Sequence, residues 1–162
     1  MDSLKLHITQ EKKLRTYALF KTTFKFEPYL DTLSDFTTRS SFAKLRLSAH
    51  SLQIETGRYE VRKTPKEERY CGYCKTLGNY LVEDEAHFLV SCPLFNEERV
   101  EIHKFICKKF PSVNLLNETN TMIWLLSQED VCALELIGNF CKKSFKIREK
   151  TLKILHTNTN KQ

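Results

Sequence analysis

YCGYCKTLGNYLVEDEAHFLVSCP, residues 70–93, carries four metal-ligating side chains in order: Cys71, Cys74, His87 and Cys92. Two residues separate the first cysteines, twelve lie between Cys74 and His87, and four between His87 and Cys92. A two-residue gap lets two thiolates on a tight turn face one ion, and Gly72 eases the backbone there. Phe88 and Leu89 anchor the segment while His87 and Cys92 converge from its ends. Three thiolates and one imidazole are a preferred set for structural zinc, so the spacing predicts one structural Zn2+. All four positions are then filled, which leaves no site for water or substrate and argues against a catalytic metal. A redox pair at Cys71 and Cys74 would open a helix in a βαβ context, which the pattern lacks. The acids Glu83, Asp84 and Glu85 read as complements of a helix start, one of them able to accept the free N–H of His87 or to support a neighbouring basic residue.

On either side of this stretch the apolar spacing is helical, and the predicted fold is mainly α: a helical domain with a small Cys3His zinc knuckle between helices. A first helix is expected over residues 10–23, followed by an extended arm around Pro28, because the residue before proline leaves the helical region. Asp35 is a good N-cap for a second helix reaching about Leu52, with Phe36, Ser40, Ala43, Leu47 and His50 inward. Gly57 reads as a left-handed stop. Downstream, Pro93 suits the first turn of a helix running to about Lys109, with Phe95, Ile102, Phe105 and Ile106 inward and Pro111 as its stop. A short helix over residues 121–126 precedes a capping box at Ser127 and Asp130, and a last helix running to about Leu155 buries Val131, Leu134, Ile137, Cys141 and Phe145. The organisation is thus residues 1–57 (helical), 58–92 (basic lead-in and knuckle), 93–155 (C-terminal helices) and 156–162 (a fraying tail). Cys107, Cys132 and Cys141 read as buried free thiols, and His7, His50, His103 and His156 as surface or packing histidines.

At 162 residues the chain can bury a core without depending on metal or disulfides. Its net charge of +6 is compatible with a polyanionic partner. The surplus lies upstream of the cysteines, where residues 1–69 hold fourteen Lys/Arg against nine Asp/Glu. No run approaches the roughly 20 apolar residues of a membrane span, and the opening lacks a secretory apolar region. The expectation is an intracellular protein, nuclear or cytoplasmic, with no membrane partner and no secretion.

Several stretches resemble the C-terminal region of non-LTR (LINE-type) retrotransposon reverse transcriptases, beyond the polymerase domain. They are Lys13-Leu14-Arg15-Thr16-Tyr17, Phe26-Glu27-Pro28-Tyr29-Leu30, Leu45-Arg46-Leu47-Ser48-Ala49-His50-Ser51-Leu52, the Cys-Cys-His-Cys element with Val82-Glu83-Asp84-Glu85-Ala86-His87-Phe88-Leu89, and Cys92-Pro93-Leu94-Phe95. The resemblance covers roughly residues 10–110. It implies a zinc knuckle that helps hold template RNA or target DNA. The aromatic-x-Asp-Asp box that a reverse transcriptase needs for its metal ions has no counterpart, since the chain contains no Asp-Asp pair. The chain therefore resembles a detached C-terminal piece, or a host gene derived from one, without polymerase activity, and it is expected not to be an enzyme.

For such a module the phosphate contacts would come from Lys and Arg, with aromatics stacking on unpaired bases. The candidates are Arg58, Arg62, Lys63, Lys66 and Arg69 on the lead-in, Tyr73 on the knuckle, and Arg39, Lys44 and Arg46 on the second helix. Arg46, Arg58 and Arg99 are equally open to a structural role in ion pairs with Glu55 or the acids at 83–85. Lys142, Lys143 and Lys146 read as a solvated face able to add a second contact. The alternative function is a zinc-stabilised module that docks a polymerase domain or another protein through its C-terminal helices.

Overall fold

In the computed structural model, which describes residues 14–21, 23, 25–112 and 116–159, Asp35 caps a helix as its sequence predicts. Its side chain accepts from the Thr38 backbone N–H at 2.7 Å. The helices are α1 (Arg15–Phe20), α2 (Tyr29–Thr32), α3 (Phe36–Arg46), α4 (Gln53–Thr56), α5 (Gly72–Thr76), α6 (Asn96–Lys109), α7 (Glu118–Leu126) and α8 (Val131–Thr159). Among the described residues the only β pairing is an isolated antiparallel bridge between Tyr70 and Val82. The chain is thus mainly helical with a Cys3His cluster between helices. No helix among the described residues is long and apolar enough to cross a membrane.

α8 is the spine. It packs on α3, α6, α2 and α5, and its buried face (Ala133, Leu134, Ile137, Phe140, Cys141) joins residues from Tyr29 to Met122 in one core. Phe88 and Phe95 meet Phe140 edge-on, and Phe88 stacks on Phe145 at 4.7 Å between centroids. Gly138 permits the close crossing: a Cβ there would lie 2.9 Å from Thr38 and 3.0 Å from Leu33.

Several sequence expectations are corrected. α1 is described only over Arg15–Phe20, and residues 10–13 and 22 of the predicted helix lie outside the described residues. The arm after it is not wholly extended, because Pro28 caps the short helix α2. α3 ends at Arg46, not near Leu52, because Ser48 adopts a left-handed conformation (φ 51°) where glycine is usual. The Ala49 N–H then reaches back to the Lys44 carbonyl at 2.9 Å, a Schellman closure. Gly57 ends α4 with an ordinary negative φ. The inward stripe of α3 is Thr38, Phe42, Leu45 and Arg46, whereas Phe36 is 73% exposed. Asp130 itself caps α8, accepting from the Ala133 N–H at 3.0 Å, while Ser127 bonds back to Trp124. Val131 is exposed, as are Cys107 and Cys132; of the three lone thiols only Cys141 is buried, and burial pushes its thiol up.

Arg46 fastens the N-terminal arm. It is 4% exposed, bonds Glu27 at 2.8 Å, and lies within 6 Å of the rings of Tyr17, Phe20, Tyr29 and Phe42. Burial alone would raise the Glu27 carboxyl, but the Lys21 ammonium, Arg46 and the Tyr17 hydroxyl together hold it below its ordinary value. A carboxylate depressed in the folded state contributes stability above its unfolded pKa of about 4.3 and loses it as pH falls below that. Glu27→Gln is therefore expected to flatten the fall in unfolding free energy between about pH 5 and pH 3, as followed by urea denaturation. In the same assay Phe140→Ala should cost about 3–5 kcal/mol, whereas Phe36→Ala should stay within about 0.5 kcal/mol of the parent.

Candidate metal centre

The cluster is assembled by two short pieces of backbone. Arg69 and Cys71 flank the bridged Tyr70: the Cys71 N–H donates to the Leu81 carbonyl and the Glu83 N–H to the Arg69 carbonyl, both at 2.8 Å. This closes a loop that turns at Gly78, whose φ of +79° suits glycine. Cys71 lies in extended conformation just before α5, and Cys74 sits on that helix, so the two thiols face the same point. Gly72 lies against α8, where a Cβ would meet Leu152 at 2.8 Å.

The second piece is a wide turn over His87–Ser91, closed by a Cys92 N–H to His87 carbonyl bond of 2.7 Å. Residues five apart point to different sides of an α-helix with 3.6 residues per turn. The wider i→i+5 turn brings His87 and Cys92 round to one side, a distortion that is frequent at functional sites.

All four side chains are buried and their ligand atoms lie within 4.8 Å of one another. Cys71 Sγ and Cys74 Sγ are each 3.9 Å from Cys92 Sγ, and Cys74 Sγ is 3.3 Å from His87 Nε2. A tetrahedron with metal–thiolate bonds of ~2.3 Å has S···S edges of ~3.8 Å, so these separations suit one ion. They also exclude a disulfide, whose sulfurs are bonded at about 2.05 Å. Without a cation the three thiols compete. Hydrogen bonding from the Cys92 thiol pulls Cys71 down to about 3, burial raises Cys74 to about 11, and the bond to Cys71 pushes Cys92 up. A divalent metal ion would remove the conflict by holding all three sulfurs as thiolates, its charge offsetting two of their three negative charges.

The support around the ligands differs from the sequence expectation. With Nε2 turned to the sulfurs, His87 Nδ1 faces Ser91 Oγ at 3.2 Å, and Ser91 donates to Glu118 of α7 at 3.0 Å. Arg99 donates to the Leu89 and Cys92 carbonyls at 3.0 and 2.8 Å, fixing the wide turn. Of the acidic triplet only Asp84 touches a ligand residue, accepting from the His87 backbone N–H at 2.8 Å. Glu83 and Glu85 are buried instead. Glu83 takes both Nε and an NH2 of Arg148 at 2.7 and 2.5 Å. Glu85 takes Arg15 at 2.6 Å, Thr16 at 2.7 Å, His50 at 2.9 Å and Ser48 at 3.1 Å. Burial opposes its ionisation, but the His50 ring and then Arg15 and Thr16 more than reverse this and hold the carboxyl well down. His50 is thus a buried partner of Glu85, a role that its isolated place in the sequence does not signal.

The predicted nucleic-acid contacts separate into two groups. Arg46 is buried, Arg69 donates to the Thr64 and Ile54 carbonyls, Arg39 to the Leu30 and Leu33 carbonyls, and Arg58 pairs with Glu55. These four arginines hold backbone or core, and Tyr73 packs half-buried against the core. Lys44, Arg62, Lys63 and Lys66 stand exposed. On the knuckle loop the exposed ring is Tyr80, with Tyr70 set edge-on to it.

Comparison with models of protein families, with curated proteins and with solved structures finds no match.

Titration with Co2+ is expected to saturate at one equivalent with an intense tetrahedral thiolate spectrum, and Cys92→Ser should abolish that signature. Removing the outer partner of a ligating histidine typically costs 10–100-fold in metal affinity. Ser91→Ala, which removes the hydroxyl facing His87 Nδ1, should therefore weaken Co2+ binding about tenfold, with the exposed Glu129→Gln unchanged in the same titration.

Proposed function

We propose that the Cys3His cluster holds one structural Zn2+ and that the chain is a zinc-dependent nucleic-acid-binding module without polymerase activity of its own. The observation that carries this is the pairing of a closed four-ligand cluster with exposed, unmatched cations on the segment leading into it. Three thiolates and one imidazole suit zinc and fill its tetrahedron, which leaves the metal to hold backbone rather than to activate water. Arg62, Lys63 and Lys66 form no ion pair among the described residues and project from residues 58–69 beside Cys71. Glu67 and Glu68 on the same segment temper that charge, so the binding is expected to be moderate and electrostatic. The likeness of the Cys-Cys-His-Cys element to the region following retrotransposon polymerase domains points the same way, and makes RNA or target DNA the partner.

One observation favours a second reading, a protein-docking module. A cleft of about 270 Å3 between α6 and α7 is lined by Ile102, Ile106, Leu116 and Leu125, and Leu116 and the neighbouring Val100 are exposed. Arg99 and His103 also line it, and an apolar side chain of a polymerase domain or another chain inserted there would bind mainly through apolar contact, with weaker salt dependence than phosphate binding.

The two readings part in a salt titration of the zinc-loaded protein with labelled single-stranded RNA and duplex DNA. Nucleic-acid binding should weaken linearly in log–log form, by about 0.7–0.9 per phosphate contacted. Arg62→Glu with Lys63→Glu should lower affinity at least fivefold, and chelation should remove it. Absence of binding at low salt would sink the proposal.

A further inference from the structure

Away from the knuckle, α3, residues 49–59 and the C-terminal half of α8 enclose a cleft of about 800 Å3, and none of the four metal ligands lines it. Its walls carry five Lys/Arg against two carboxylates. Both carboxylates are already matched: Glu55 by Arg15 and Arg58, and Glu149 by Lys153 at 2.7 Å. Arg148 is matched to Glu83, and Lys142 to Asp35 at 3.0 Å. Lys44 on α3 and Lys146 on α8 have no acidic partner among the described residues, and both are exposed. They come from two different helices and line one concavity, with the hydroxyls of Thr37, Ser41 and Ser51 beside them. At the rim Tyr59 is 69% exposed, an aromatic ring with one face to offer.

Cations on two walls and an exposed aromatic at the edge are the elements with which proteins hold unpaired strands: phosphates on the cations, a base on the ring. The volume is that of a small-molecule cleft, matching a few unpaired nucleotides more closely than a duplex. We propose that this cleft is the path of a single-stranded nucleic acid, with Lys44 and Lys146 on its phosphates and Tyr59 stacking a base. The assignment rests on the nucleic-acid reading above and moves its principal contact from the lead-in loop to the groove between α3 and α8.

The test uses the zinc-loaded full chain with a labelled 12-nucleotide single strand, a duplex of the same length, and nucleoside monophosphate as competitor. Lys44→Glu with Lys146→Glu is expected to weaken the single strand at least tenfold and to lower the salt slope by about 1.4, two phosphates at about 0.7 each. Lys44→Gln with Lys146→Gln, which removes charge without inverting it, should weaken it at least threefold with metal content and helicity unchanged. Tyr59→Ala should weaken it at least fivefold, within the range for one stacked base. If Arg62→Glu/Lys63→Glu abolishes binding while both groove variants bind as the parent does, the groove assignment is overturned and the nucleic-acid reading stands. If the parent binds neither strand nor duplex, both fall. Equal loss of duplex and single-strand binding in the groove variants overturns the single-strand assignment. Displacement of the strand by micromolar monophosphate overturns the polymer assignment in favour of a free-nucleotide site.

Discussion

Two carboxylates, Glu83 and Glu85, are buried on the segment that delivers His87 to the cluster, and the arrangement of the chain follows from the need to neutralise them. A buried charge without a partner costs several kcal/mol, and breaking one side of a buried pair costs about 3–5 kcal/mol. Each acid finds its cation at an opposite end of the sequence: Glu83 takes Arg148 of α8, and Glu85 takes Arg15 of α1. The first bond forms only when the last helix is brought to Glu83, and the second only when the first helix is brought to Glu85. The same segment gives the Asp84 side chain to the His87 N–H, and Glu83 accepts from the Gln53 N–H at 2.8 Å, tying in α4. The segment carrying His87 is therefore held by three other elements, α1, α4 and α8, through protein groups alone.

That scaffold explains how a strained junction is tolerated. Ser48 sits in the left-handed region, which costs a residue with a Cβ about 1–2 kcal/mol. Glycine would relieve that strain but would lose the hydroxyl that bonds Thr16 and approaches Glu85. The side chain is worth keeping because Thr16, Ser48, His50 and Arg15 together surround one carboxylate, and a buried polar network is stable only when every member is satisfied. On the other side of His87 three buried thiols crowd within 4.8 Å of the imidazole and of one another, an arrangement that a cation would suit. Polar satisfaction within the protein fixes one side of the His87 segment, and an ion in the Cys3His cluster would fix the other.

The ligand set was legible in the sequence because Cys71, Cys74, His87 and Cys92 are few, chemically distinctive and closely spaced. Asp35, Pro93 and the apolar period of α8 were legible for the same reason: a cap, a first-turn proline and a 3.6-residue repeat act within a few residues. What could not be read was long-range pairing. Nothing local distinguishes Arg46, whose guanidinium is ringed by four aromatics and held by Glu27, from the exposed Lys44 two residues before it. Glu83 and Glu85 resembled an ordinary helix-start cluster because their partners lie 65 and 70 residues away. The stop at Ser48 was hidden because the usual signal there is glycine, and the nearest glycine, Gly57, lies beyond the next helix.

The same distinction decides which basic residues are available to a partner. An arginine can satisfy several carbonyls or carboxylates through a planar fork of donors, and the fold uses that capacity: Arg15, Arg39, Arg46, Arg58, Arg69, Arg99 and Arg148 all hold backbone, carboxylates or both. Lysine, a hydrated point charge on a flexible stem, is left at the surface. The free positive charge is therefore mostly lysine: Lys44 and Lys146 line the cleft between α3 and α8, while Lys63 and Lys66 stand with Arg62 on the lead-in. α8 also carries Leu152, which lines that cleft and packs on Gly72 one residue after the first metal ligand. An ion held by Cys71 and Cys74 would fix α5, whose Gly72 packs on Leu152, and Leu152 forms a wall of the cleft. The Cys3His cluster is thereby connected, through one packed contact, to the surface where the unmatched lysines stand.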